Sequence, residues 1–217
     1  MSEPSASSTA SQVQGIDVSH LQQTIDWNQV RQAGKLFAFI KATDGITWTD
    51  PLFTTNWAAA RAAGLLRGAY HFYETDDDPT AQAEHFLSVV SLQPGDLPPV
   101  VDFERIEGSQ TSAQALQDLQ TWLAVVAKAT GRTPLIYTDS GFWNPLGSSA
   151  FGSYPLWVAE YEVQSPKMPT GWSGWDFWQF SESGTVAGIS QPVDLDVFNG
   201  TLADLVAFIQ GSVAPGP

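Results

Sequence analysis

The stretch LPPVVDFERIEG, residues 97–108, sets Asp102 and Glu104 two positions apart directly after an apolar run. If that run is a strand, side chains at i and i+2 share a face with Cα atoms about 6.5 Å apart, so both carboxyl groups point into one space. Two acids held together at a poorly solvated surface raise each other's proton affinity, and the one in the more apolar setting stays protonated near neutral pH. A proton donor beside an anion is what hydrolysis of a glycosidic bond requires. The plainer alternative is a strand end that carries two solvated carboxylates.

Eight runs rich in apolar and β-branched residues could position such a pair. They are GIDVSH (15–20), LFAFIKAT (36–43), LRGAYHFY (66–73), LPPVVDFE (97–104), PLIYTD (134–139), PLWVAEY (155–161), WDFWQF (175–180) and VDLDVF (193–198). Helical segments separate the early ones. Asp26 should cap a helix ending at Gly34, Asp50 and Pro51 should open one ending at Gly64, and Asp78 and Pro79 should open a third. The longest, 111–130, repeats Leu116, Leu119, Leu123 and Val126 at helical spacing before Gly131. Later connections such as SGFWNPLGSSAFGSYP are too rich in Gly, Pro and Ser for long helices. The expected fold is therefore α/β, a modified TIM-like β/α barrel of about eight strands with an incomplete outer ring of helices.

Catalytic groups in a parallel barrel come from the C-terminal ends of strands. The strand ends here carry Asp17, His20, Asp44, Tyr70, His71, Asp102, Glu104, Tyr137, Asp139, Trp157, Glu160, Tyr161, Gln179, Asp194 and Asp196. Acids and aromatics thus recur around one rim.

Composition narrows the partners. The 217 residues contain 9 Lys plus Arg against 23 Asp plus Glu, a formal charge of -14 that repels a phosphate backbone and argues against nucleic acid. With no Cys, disulfides and thiolate chemistry are excluded. No apolar run reaches the ~18 residues needed for membrane insertion. Nine Trp exceed what the core needs, and some should line a groove where flat apolar faces can stack on sugar rings. The chain is expected to be a monomer with a disordered leader at 1–14, one catalytic domain at 15–210 and a flexible tail at 211–217. The leader lacks the basic and apolar regions of a secretory signal.

The series GIDVSHLQQTIDW, FAFIKATDG, GAYHFY, PPVVDFE, LIYTD, PLWVAEY, DFWQF and VDLDVFNG, in order over roughly residues 15–200, resembles the glycoside hydrolase family 25 lysozymes, the Chalaropsis-type N-acetylmuramidases. The resemblance implies a muramidase that cleaves the β-1,4 bond between N-acetylmuramic acid and N-acetylglucosamine in peptidoglycan. Glu104 would be the general acid, Asp102 its anionic neighbour, and Asp17 and Asp194 would complete an acidic cluster. Tyr70, Tyr137, Trp157, Gln179, Tyr161 and Asp196 would bind substrate. No cofactor or metal is implied, and the enzyme would be secreted or released as a phage endolysin. Two departures keep chemical type: Asp44 stands where the family more often has Glu, and Trp48 where it more often has Tyr. Where some members have Asn, this chain has Asp196, which leaves open whether Asp194 or Asp196 faces the site.

Three other readings remain at this point. A chitinase-like hydrolase would carry acids two and four positions before Asp102, where Val100 and Pro98 stand. A metal centre on Asp17, His20 and Asp102 would lack a second His at ligand spacing. A peptidoglycan-binding protein without catalysis would bind glycan and release nothing.

Overall fold

Strand periodicity closes into a ring in the computed structural model, which describes residues 12–212. The strands are β1 (Val13–Val18), β2 (Phe37–Asp44), β3 (Trp48–Thr49), β4 (Leu66–Phe72), β5 (Val100–Asp102), β6 (Leu135–Asp139), β7 (Leu156–Ala159), β8 (Phe177–Gly184) and β9 (Val193–Phe198). Their order is β1-β9-β8-β7-β6-β5-β4-β2, and a β1–β2 pairing closes the barrel; β3 hangs on β2 alone as a hairpin. Neighbours from β1 through β8 along the β2 side run parallel, whereas β9 is antiparallel to both β8 and β1. The expected barrel of eight strands is thus present.

The helices are α1 (Trp27–Gln32), α2 (Phe53–Ala62), α3 (Pro79–Val89), α4 (Ser112–Thr130), the single turn α5 (Ser140–Trp143) and α6 (Leu202–Gly211). Among the described residues no helix joins β7 to β8 or β8 to β9, so the outer ring is incomplete, as the Gly- and Pro-rich connections require. Capping follows the sequence at Asp26, which accepts from the amides of Asn28 and Gln29, and at Asp78, which accepts from that of Ala81; Thr111 caps the longest helix by accepting from the amide of Gln114. Gly131 ends α4 in the left-handed region at φ 65°.

Alternation along each strand divides the apolar residues into two cores. Outward-facing residues meet the helices, with Ile40 and Ile136 in the same cluster as Phe86 and Trp122. Inward-facing Phe37, Phe39, Val100, Leu135, Trp157, Phe177 and Phe198 plug the barrel itself, and α6 closes its base through Leu205 and Ile209. Gly15 and Gly68 make room for this plug, because a Cβ at either position would overlap the ring of Phe37 or Phe39.

Several boundaries differ from those expected, among them that of β8, which runs to Gly184 rather than ending at 180. β1 begins at Val13, inside the expected leader, because its first residues pair with Val197 and Phe198; residues 1–11 lie outside the described residues. Helix α6 runs to Gly211, the first residue of the expected tail, and 213–217 lie outside the described residues. α2 starts at Phe53 rather than after Asp50, whose carboxylate instead accepts from the amide of His20 at 2.8 Å and that of Leu52 at 2.8 Å. β5 is only three residues long, ending at Asp102, although the amide of Phe103 still donates to Tyr137 O at 3.0 Å.

Phe39 stacks on Trp157 with ring centroids 4.3 Å apart and 25° between planes, at the top of the plug. Phe39→Ala should destabilise the fold by about 3–5 kcal/mol, because the rigid barrel wall cannot collapse into the space left. Urea unfolding checks this, and a loss under 1 kcal/mol would mean that the plug is not tightly packed.

Candidate active site

The plug stops one layer short of the barrel mouth, and polar side chains occupy that last layer. They line a cleft of about 250 Å³ bounded by Asp17, His20, Leu21, Lys41, Tyr70, Asp102, Glu104, Tyr137, Trp157, Gln179 and Asp194, with Val18, Ser19, Gln22 and Phe72 at its edge. Strand alternation explains the membership: Lys41 follows inward-facing Phe39 on β2, Gln179 follows Phe177 on β8, and Tyr137 follows Leu135 on β6.

Gln179 ties three walls together. Its Oε1 accepts from the Tyr137 hydroxyl at 2.8 Å and the Tyr161 hydroxyl at 2.6 Å, and its Nε2 donates to Asp17 Oδ2 at 2.6 Å. In this amide orientation Asp17 meets an N–H. Opposite Asp17 in the β1–β9 register lies Asp194, near enough for its charge to bear on the Asp17 carboxyl. Burial first, and then the charges of Asp196 and Asp194, push the Asp17 carboxyl well above the ordinary range. Burial also raises Asp194.

Asp102 and Glu104 stand on the facing wall. Phe103 between them is fully buried on the outer side, which leaves its two neighbours to turn inward. Burial drives Asp102 well above the ordinary carboxylate range and the charge of Glu104 adds to it; burial also raises Glu104, opposed by Arg105 and Lys41. The pair therefore holds one proton to higher pH than a solvated carboxyl would. Asp102 Oδ1 is buried and has no hydrogen-bond partner among the described residues. Lys41 is the one cation lining the cleft, its Nζ 2.7 Å from Asp44 Oδ2 and 4.5 Å from the centre of the Phe72 ring.

Of the residues expected at the site, Asp17, Tyr70, Asp102, Glu104, Tyr137, Trp157, Gln179 and Asp194 converge on the cleft. Tyr161 reaches it only through Gln179. Asp196, expected among the substrate-binding residues, lies beneath the floor with no exposure, accepting from Trp157 Nε1 at 2.9 Å. The reversed direction of β9 is the reason: its beginning, not its end, reaches the mouth, so Asp194 is the outer acid. Three rim candidates turn elsewhere. His71 is buried outside the barrel between Thr43 and Gln82, at 2.8 and 3.0 Å, and stacks near Trp122; burial lowers it to about 4. Asp139 caps α5, and Glu160 pairs with Lys167 at 3.7 Å. Lys41 was missed, although its place two residues after Phe39 already put it on the inner face.

A sequence model described as "Glycosyl hydrolases family 25" matches residues 16–189. Lysozyme M1 of Streptomyces globisporus is 40% identical over 207 residues, covering 90% of this chain and 70% of that one. N,O-diacetylmuramidase of Chalaropsis sp is 30% identical over 216 residues, covering 92% of this chain and 100% of that one. The crystal structure of the bacterial lysozyme from Streptomyces coelicolor superposes with a TM-score of 0.88 at 38% identity, covering 93% of this chain and 99% of that one.

Buried Asp196 makes a pH-dependent prediction. Burial raises its folded-state pKa, so between the unfolded value near ~3.9 and the folded one the native state binds more protons, and stability falls as pH rises. Asp196→Asn keeps an acceptor for Trp157 but cannot ionise. Its melting temperature should exceed that of the wild type by about 2–4 °C at pH 8, with the gain fading toward pH 4. A difference that stays constant across that range would count against a titrating Asp196.

Proposed function

This chain belongs to glycosyl hydrolases family 25, and on that premise we propose that Glu104 and Asp102 together cleave the β-1,4 bond between N-acetylmuramic acid and N-acetylglucosamine in bacterial peptidoglycan. The enzyme is a lysozyme-type glycoside hydrolase. The observation that carries the residue roles is the buried, unpartnered Asp102 Oδ1 beside a Glu104 that faces the same cleft.

An N–H of the substrate's 2-acetamido group would satisfy that oxygen and stabilise Asp102 as an anion, which leaves the shared proton on Glu104. Held by Asp102, the acetamido carbonyl oxygen attacks the anomeric carbon as the glycosidic C–O bond breaks, and Glu104 gives its proton to the departing oxygen. The cyclic oxazolinium carries positive charge, which anionic Asp102 stabilises. A water then attacks the anomeric carbon, passing its proton to Glu104 and restoring the acetamide, with net retention of configuration. Such substrate assistance is an exception to the usual pair of carboxylates flanking the ring, and two acids on one wall suit it better than that arrangement. Tyr70 and Tyr137 stay neutral, because burial and nearby carboxylates raise both phenols, and Trp157 gives the sugar an apolar floor.

A glycan substrate in the cell wall supports action outside the cytoplasm, as a secreted enzyme or a released endolysin. No helix among the described residues is long and apolar enough to cross a membrane.

Digestion of purified peptidoglycan, reduction of the products and mass spectrometry should identify reduced muramic acid as the new end sugar. Reduced N-acetylglucosamine would instead indicate a glucosaminidase, and no release would indicate a binding protein. Glu104→Gln should abolish release while sparing glycan binding. Asp102→Asn should lower kcat by at least about 10²–10³-fold, the size of a lost electrostatic contact in a transition state; near-normal turnover would remove Asp102 from its role. Net inversion in an NMR product analysis would rule out the acetamido route.

A further inference from the structure

Large apolar side chains are held in solvent beside the cleft. Leu21 is 66% exposed, Ile46 42% and Trp48 37%, half of the exposed large hydrophobics among the described residues, and all three lie on the two segments that follow β1 and β2. These segments are rigidly built. In the β2–β3 hairpin the Gly45 amide donates to Phe72 O at 3.2 Å, the Ile46 amide to Asp77 Oδ2 at 3.1 Å, and His85 bridges Gly45 O at 2.9 Å to the Thr49 hydroxyl at 3.0 Å. Gly45 adopts φ 52°, and a Cβ there would lie 2.7 Å from Asp77 Oδ2, so the turn accepts only glycine without shifting. On the other segment, Ser19 and Gln22 form a capping box around the turn His20–Gln22, and Gln22 Nε2 donates to Pro192 O at 3.0 Å. Trp48 itself is braced by the His20 ring, with centroids 5.2 Å apart, and by Lys41 Nζ at 5.2 Å from its centre.

Local hydrogen bonds alone do not account for apolar groups fixed in water, since a polar side chain at Ile46 or Trp48 would leave every one of them intact. Fixing them in advance removes the ordering cost that binding would otherwise carry. The patch is also continuous with the catalytic cleft: His20, Leu21 and Lys41 line the cleft, and His20 and Lys41 are the two groups that hold Trp48.

We propose that the β2–β3 hairpin and the turn after β1 form an additional glycan subsite, in which Trp48 stacks on an N-acetylhexosamine further along the strand whose neighbouring bond lies in the cleft. A pyranose offers one face of C–H groups that matches an indole, and its acetamido methyl suits aliphatic neighbours such as Leu21 and Ile46. The polar ring edge meets His20 and Asp44, which flank Trp48. The subsite rests on the muramidase reading of the cleft and sets a preference for long strands, which reach both places at once.

The test uses glycan strands of graded length, freed of their peptide stems by an amidase, with wild type, Trp48→Ala and Trp48→Phe. For wild type kcat/KM should rise with length. In Trp48→Ala, KM for long strands should increase about three- to tenfold with kcat unchanged, the shortest strand that is cleaved should be unaffected, and Trp48→Phe should restore most of the loss. An equal loss at every length, no loss at any length, or a loss seen only on strands that keep their peptides would overturn the subsite. Failure of the wild type to cleave any strand would remove the cleft's reading and the subsite with it, whereas the other adverse outcomes remove the subsite alone.

Discussion

The stack of Phe39 on Trp157 is the contact on which the site depends, because it marks where the barrel interior changes from oil to acid. Below it the inward residues are Phe37, Leu135, Phe177 and Phe198, with Asp196 buried at the level of Phe37; level with it or above it stand Asp17, Asp102, Asp194 and Gln179. The plug keeps water away from the carboxyl groups on their lower side, and burial is the largest cause of the raised proton affinity at each of the four Asp. An open lumen would leave the same acids solvated and ordinary. The indole of Trp157 joins the two regions, its face on Phe39 and its N–H on Asp196.

Holding so many acids in one layer works against the fold. Each buried carboxyl is harder to ionise in the native chain than in the unfolded one, so neutral pH weakens the native state. Gln179 offsets part of this by donating to Asp17, and Lys41 lowers the proton affinity of both Asp102 and Glu104. Strain of this kind is characteristic of sites whose chemistry needs a carboxylic acid near neutral pH.

Much of this was legible in the sequence because alternation and capping are local. The D-x-E spacing, the strand runs and the caps at Asp26 and Asp78 could be read from neighbours a few residues apart. Direction was not legible: VDLDVF reads the same whether its strand runs with or against β8, and the reversal of β9 decides that Asp194 is outer and Asp196 buried. His71 shows the complementary error. Its aromatic neighbour Tyr70 faces the cleft, so strict alternation turns His71 outward toward Gln82 and Trp122. Asp50 had the right residue type for a cap, but the competing amide of His20, thirty positions away, was invisible locally. Most of the nine Trp proved to be packing: Trp27, Trp122, Trp143 and Trp172 are buried in the outer core and Trp57, Trp175 and Trp178 pack against it, while Trp157 meets the cleft and Trp48 stands beside it.

The insertion of β9 between β8 and β1 also has a bearing on how the chain assembles. Asp17 belongs to the first strand and Asp194 to the last, and they face each other only after residues 193–198 have docked. Until then β1 and β8 both present open edges, the state in which a sheet is most prone to pair with another molecule. On a ribosome that exposure lasts until the end of the barrel has been made, and closure is a late, long-range step. The same event that ends the vulnerability brings the first and last acids together, so an incompletely folded chain has no assembled acidic layer with which to attack a glycan.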